Sequence, residues 1–86
     1  MGKADKRKER LKNIPKDYTY DEAKALLESL GFQETTKGKT SGSRVKLYRT
    51  SDEASIMLHK PHPGNVMKSY AVRFLCDYLV EIGEII

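Results

Sequence analysis

The sequence has one cysteine, no tryptophan and no run of apolar residues longer than three. The single cysteine, Cys76, cannot form an internal disulfide, and one cysteine with two histidines is too few for a cysteine-rich zinc site. The short apolar runs exclude a membrane-spanning helix and the core of a signal peptide. The 86 residues therefore predict one small domain in the reducing cytoplasm, with no metal, no cofactor and no membrane contact.

The formal net charge of +4 is confined to the beginning of the chain. Residues 1–17 contain seven basic and three acidic side chains, whereas residues 18–86 contain nine of each. We therefore divide the chain into a basic N-terminal arm, residues 1–17, which is either helical or mobile, and a domain, residues 18–86. Residues 36–50 and 54–76 include basic but no acidic residues. This pattern is typical either of a site for an anionic partner or of a solvated strand and loop.

Helical periodicity is present in two parts of the domain. Thr19 and Glu22 have the spacing of a capping box, which predicts a helix that begins at Tyr20 and ends before Gly31. A second helix is predicted from about residue 68 to residue 82, with an apolar stripe at the spacing of a core-facing surface. The stripe consists of Ala71, Phe74, Leu75, Tyr78, Leu79 and Ile82.

Three strands are predicted between the two helices. Residues 32–36 form the first strand, residues 44–49 the second and residues 55–59 the third. The third is the most apolar of the three and is therefore expected to be more central in the sheet. The order of elements predicts an α+β fold, in which a three-stranded antiparallel sheet carries both helices on one face.

Two short motifs carry a resemblance to a known family. Gly42-Ser43 precedes the second strand, and the segment Leu-His-Lys-Pro-His-Pro-Gly, residues 58–64, precedes the last helix. Together, and in this order, they resemble the HicA toxin family of bacterial toxin-antitoxin systems, over roughly residues 18–85. The resemblance implies an α-β-β-β-α fold like that of the double-stranded RNA-binding domain. It also implies a small ribonuclease, an mRNA interferase, which a HicB-type antitoxin holds inactive.

The first motif departs from the family pattern at one position. The family's usual motif is Gly-Ser-His, and the resemblance implies a catalytic role for that histidine, but here the third residue is Arg44. Arginine cannot exchange a proton near neutral pH because its pKa exceeds about 12. His62 matches a recurring family position, and His59 lies three residues earlier.

Cleavage of RNA without a metal needs three chemical groups. A base takes the proton of the 2′-hydroxyl, an acid protonates the leaving 5′-oxygen, and a cation stabilises the negative charge on the phosphorane. His62 and His59 are the candidates for proton transfer because imidazole titrates near pH 6.5, and Arg44 is the candidate for holding phosphate. Structural roles are the alternatives: His59 as a half-buried sheet residue, and Arg44 as half of a cross-strand ion pair.

RNA binding does not depend on the groups that transfer protons. Strand alternation places Arg44 and Lys46 on the face opposite Val45 and Leu47. The predicted RNA-binding residues are Lys37, Lys39, Ser43, Arg44, Lys46 and Lys60. We therefore predict an endoribonuclease toxin that binds messenger RNA. The alternatives are a noncatalytic RNA-binding or antitoxin-binding module that has lost the catalytic histidine, and an adaptor whose basic face contacts only protein.

Overall fold

The computed structural model describes residues 3–35, 44–61 and 64–85, with side chains from Asp5 onward. Within these ranges the elements are α1 (Lys3–Lys12), α2 (Tyr20–Ser29), β1 (Gln33–Thr35), β2 (Arg44–Arg49), β3 (Ala54–His59) and α3 (Ser69–Glu81). The predicted α+β layout is confirmed from α2 onward. None of the described helices has the length and apolar content that a bilayer crossing requires.

The three strands form one antiparallel sheet in the order β1-β2-β3. The central strand is β2, so the expectation that the third strand is more central was wrong. In β3, Ile56 and Leu58 are buried, whereas Met57 and His59 are exposed. The apolar content of β3 therefore reflects the one face that covers the core, and not a position between two other strands.

The core lies between the inner face of the sheet and helices α2 and α3, which pack on that single face as predicted. Its aliphatic centre consists of Leu26, Leu27, Leu47, Ile56, Leu58, Leu75 and Leu79. The outer face of the sheet is consequently left without a covering layer among the described residues, and it is the face that carries Arg44 and His59.

Helix α3 packs the predicted stripe against the core except at Phe74, and it also buries Val72, which the prediction left out. Val72, Leu75 and Leu79 are fully buried, whereas Phe74 is 53% exposed. Positions 71, 74, 75 and 78 have the spacing of a helix face, but so do positions 72, 75 and 79, which lie further around the helix. The prediction was right for Leu75 and Leu79, and for the half-buried Ala71, Tyr78 and Ile82, which pack against the core. It was wrong for Phe74, because the buried face is centred further around the helix, towards Val72.

Helix α2 begins at the predicted capping box. The Thr19 hydroxyl accepts a hydrogen bond from the amide of Glu22 at 3.1 Å, and the amide of Thr19 donates to the Glu22 carboxylate at 2.9 Å. After the helix, Gly31 has a positive φ of 97°, a conformation that glycine adopts without strain. Both ends of α2 are thus determined by local sequence, as expected.

The N-terminal segment contributes a helix that packs against α2 and α3. Leu11 is fully buried in the core cluster, and Arg10 donates to the carboxylates of Glu22 at 2.6 Å and Asp17 at 3.2 Å. The hydrogen bond from Arg10 lowers the pKa of the Glu22 carboxyl below its ordinary value. Of the two predicted states, helical or mobile, residues 3–12 adopt the helical one. The division of the chain at residue 17 stays a prediction.

Replacing Leu11 with alanine should lower the free energy of unfolding by about 2–3 kcal/mol. This is the lower part of the range found when a buried leucine is truncated to alanine. Urea denaturation measures the change. Lys12→Ala, one residue along on the exposed face of the same helix, is the matched control and should change the stability by less than about 0.5 kcal/mol. Equal effects of the two substitutions would contradict the packing of α1.

Candidate functional site

The described part of the chain includes four of the predicted site residues: Arg44, Lys46, His59 and Lys60. The other four, Lys37, Lys39, Ser43 and His62, lie outside the described residues. The site is therefore built here from the ends of β2 and β3 and from the segment that follows β3.

Arg44 and His59 are direct partners across the β2-β3 ladder. Side chains at such positions point to the same face of the sheet, with Cβ atoms about 4.5–5.5 Å apart. Both residues are exposed. The sheet register thus places a permanent cation beside an imidazole on the outer face. The sequence alone could not predict this proximity, because the proximity depends on how the strands pair.

The other described strand residues of the outer face are basic or neutral. Lys46 lies opposite Met57 and on the same face as Arg44. Glu34, the acidic residue of β1, pairs with Leu47 and therefore points to the inner face of the sheet. There its carboxylate forms an ion pair with Lys24 at 2.9 Å. The described strand residues on the outer face therefore include no carboxylate that would repel a phosphate backbone.

Lys60 turns away from the outer face and towards the helix layer. Its ammonium nitrogen lies 5.7 Å from the centre of the Tyr20 ring, at the beginning of α2. A cation over an aromatic face is held by the quadrupole of the ring. Lys60 therefore does not continue the row formed by Arg44 and Lys46, although the sequence placed it in the same RNA-binding set.

Residues 64–67 fix the geometry of this end of the molecule. The amide of Tyr20 donates to the carbonyl of Asn65 at 2.8 Å, and the amide of Met67 donates to the carbonyl of Tyr18 at 2.8 Å. The Asn65 side chain also donates to Asp21 at 2.9 Å. These bonds bring the beginnings of α2 and α3 together beside the end of β3.

Arg49 does not belong to the basic face, although the sequence placed it in the same acid-free segment. It lies on the inner side of β2 and is 8% exposed. Its guanidinium binds Asp52 through two nitrogens, at 2.9 and 2.7 Å, and Glu84 at 2.6 Å. The hydrogen bonds that Arg49 donates to the carboxylates of Asp52 and Glu84 raise its pKa further above its ordinary value. This arginine is a structural residue and is not available to RNA.

Sequence reasoning missed a groove between the end of β3 and the beginning of α3. One wall consists of residues 59–61 and the other of residues 66–68, 70 and 71, around a volume of about 290 Å³. Tyr70 stands on the second wall and is 70% exposed. The signal in the sequence was that Tyr70 falls outside the predicted core stripe of its helix, although it is a large aromatic residue.

The family comparison agrees with the motifs and with the fold. The sequence model of the family described as "HicA toxin of bacterial toxin-antitoxin" matches residues 20–77, more than half of the chain. No curated protein and no solved structure matches the chain significantly. The matched range runs from the beginning of α2 to the middle of α3 and includes Arg44 and His59. The chain therefore belongs to the HicA toxin family of bacterial toxin-antitoxin systems.

Proposed function

We propose that the chain is an RNA-binding toxin that cleaves messenger RNA without a metal, and that a HicB-type antitoxin neutralises it in the cytoplasm. The observation that carries the proposal is the placement of Arg44 directly across from His59 on an exposed sheet face. The described strand residues of that face are free of carboxylates. A fixed cation beside an imidazole suits a phosphodiester, because one group binds the phosphate and the other can move a proton.

The proposed reaction is an attack of the ribose 2′-oxygen on the adjacent phosphorus. As the new oxygen-phosphorus bond forms, a histidine accepts the 2′-hydroxyl proton, and a second histidine donates a proton to the 5′-oxygen as its bond to phosphorus breaks. We assign these two roles to His59 and His62, without choosing which is the base. Arg44 binds the non-bridging phosphate oxygens with its planar fork and stabilises the charge that develops on them.

A cleavage assay with purified protein and a chelator tests this function. His59→Ala and His62→Ala should each lower the cleavage rate by about 10²-fold or more, since each removes one proton-transfer group. Met57→Ala is the matched control, because Met57 is exposed on the same face of the same strand but has no group that can transfer a proton. A substrate with 2′-deoxyribose at the cut site should resist cleavage. Absence of cleavage by the unmodified protein, or cutting of the deoxy substrate, would refute the proposed chemistry.

A second candidate function is a noncatalytic RNA-binding or antitoxin-binding module. The observation that favours it is Arg44, which occupies the position of the family's histidine and cannot act as a base at neutral pH. This function predicts RNA binding that weakens steeply with salt, because phosphate contacts release counterions, together with no cleavage over hours. The same assay therefore separates the two candidates.

A further inference from the structure

Helix α3 presents two aromatic rings at the surface that the proposed cleavage reaction does not use. Tyr70 is 70% exposed and Phe74 is 53% exposed. The two residues are four positions apart, so they are neighbours on the helix surface, with Cβ atoms about 5–6 Å apart. Val66, also exposed, precedes them in the segment that leads into the helix. A contiguous exposed apolar patch of this kind is typical of a binding surface.

Cations are distributed around this aromatic pair. Lys68 immediately precedes α3, and Arg73 lies three residues after Tyr70, next to it on the helix surface. Neither side chain forms an ion pair with a described residue. The first acidic residue along α3 is Asp77, a turn beyond Arg73. Asp77 is also three residues after Phe74, so the cations lie beside Tyr70, at the groove end of the aromatic pair, and a carboxylate lies at the far end. The charge beside Tyr70 therefore favours an anionic ligand.

The groove connects the aromatic pair to the proposed cleavage site. His59 lies on the outer face of the sheet opposite Arg44, and it also contributes to the wall of the groove that faces Tyr70. Lys60, in the same wall, reaches the beginning of α2. His59 therefore lies both opposite Arg44 in the sheet and in the groove that Tyr70 lines.

We propose that Tyr70 and Phe74 form a stacking subsite for single-stranded RNA next to the cleavage site. Successive bases stack on the two rings while Lys68 and Arg73 bind the adjoining phosphates, a combination that binds single strands with little sequence preference. A duplex does not fit this subsite, because its bases are stacked on one another and are not accessible to aromatic side chains. The inference rests on the proposed function in taking RNA as the ligand.

Binding to uncleavable RNA tests the subsite with the full-length chain. A fluorescent single-stranded oligonucleotide in which every ribose is 2′-O-methylated supplies no nucleophile, so its affinity is measured whether or not the protein is a nuclease. Tyr70→Ala and Phe74→Ala should each weaken binding by about 5- to 100-fold, the range found when one stacking aromatic is removed. Tyr70→Trp, which keeps a large flat ring, should retain the affinity.

Val80→Ala is the matched control for this experiment. Val80 is 48% exposed on the same helix but lies beyond Asp77, away from the groove, so its substitution should leave the affinity unchanged. Because all three residues are exposed, thermal melting of the variants should match that of the unmodified protein within a few degrees. If Tyr70→Ala proves to be unfolded, its affinity is not used. The proposal is then tested by the loss of affinity in Phe74→Ala and by the retained affinity of Tyr70→Trp.

An oligonucleotide with abasic positions separates stacking from phosphate binding. If the rings stack on bases, the abasic RNA should bind the unmodified protein more weakly than the complete strand does. The substitution Tyr70→Ala should then cause no further loss of affinity for the abasic RNA. Equal affinity of the two strands for the unmodified protein would overturn the proposal. A second result would also overturn it. If Tyr70→Ala and Phe74→Ala leave the RNA affinity unchanged but weaken the binding of an acidic peptide, the surface is a protein-docking site.

Failure of the subsite and failure of the proposed function give different results. A protein that binds methylated RNA through Tyr70 and Phe74 but does not cut unmethylated RNA has the subsite without the nuclease activity. A protein that cuts RNA and is indifferent to both substitutions has the activity without the subsite. Absence of any RNA binding refutes both.

Discussion

Replacing Arg49 with methionine should lower the free energy of unfolding by about 3–4 kcal/mol, because it breaks a buried group of hydrogen-bonded ion pairs. An 86-residue domain has a total stability of about 4–13 kcal/mol. The substitution therefore removes a large part of it, and the melting temperature should fall by roughly 15–25 °C.

The expected effect follows from the number of elements that Arg49 joins. Besides Asp52, in the turn after β2, its guanidinium binds the carbonyl of Leu30 at the end of α2 and Glu84 after α3. It also lies 4.8 Å from the centre of the Phe32 ring. Methionine fills part of the space but donates no hydrogen bond, so the Leu30 carbonyl loses its charged donor. The half-buried Glu84 carboxylate loses its nearest cation and keeps, among the described residues, only the ion pair with Lys8, at 3.6 Å.

Gly31 lies against the side chain of Arg49. A Cβ atom there would lie 3.3 Å from Cδ of Arg49, and the residue has a positive φ of 97°. The backbone therefore passes close to the aliphatic part of the arginine side chain, which leaves little room for another residue. One guanidinium group thus contacts the end of α2, the sheet and the C-terminal segment.

Two further variants make the Arg49 prediction specific. Arg44→Met removes the same charge from the same strand, but from an exposed position, and should change the stability by less than about 0.5 kcal/mol. Arg49→Lys keeps the charge and should cause an intermediate loss, because an ammonium group cannot bind one carboxylate bidentately while also reaching a second. Urea denaturation measures all three proteins. Equal losses for Arg49→Met and Arg44→Met would show that Arg49 contributes only through net charge.

Features specified by neighbouring residues could be predicted from the sequence. The capping box of Thr19 and Glu22 acts within a single turn, and the second strand extends over the predicted residues 44–49. The role of Arg49 could not be predicted, because one of its partners, Glu84, is 35 residues away. The same holds for α1, since the surface that buries Leu11 exists only after α2 and α3 have packed together.

The candidate site was likewise predictable in part. The sequence identified Arg44 and His59 as residues of interest, but their proximity depends on strand register, which pairs residue 44 with residue 59. The sequence also grouped Phe74 with the core, because its spacing from Leu75 and Tyr78 fits a helix face. In the structure the other members of the predicted stripe pack against the core, and Phe74 is left beside Tyr70 at the surface. Residue types indicated the chemistry, and packing decided which residues are available for it.

Replacing Arg44 with histidine should raise the rate of RNA cleavage by about 10²-fold or more. The substitution restores the Gly-Ser-His motif that is usual in the HicA family, and it places a second imidazole directly across from His59. With Cβ atoms about 4.5–5.5 Å apart, two imidazoles can approach one phosphodiester together. The new imidazole can take over the base role at the position usual in the family and leave another histidine as the acid, and one group that transfers a proton contributes about 10²–10⁴-fold.

Arg44→Gln separates the gain of a base from the loss of a cation. Glutamine removes the charge and supplies no titrating group, so this variant should bind RNA more weakly and cleave it more slowly than the unmodified protein. For Arg44→His, the cleavage rate should rise between about pH 5 and pH 7, because a histidine acting as a base must lose its proton first. Rates for the three proteins across this pH range, with the same RNA and chelator, provide the measurement. If Arg44→His is no faster than Arg44→Gln, then position 44 does not face the bond that is cut, and the cleavage site must be assigned to another part of the surface.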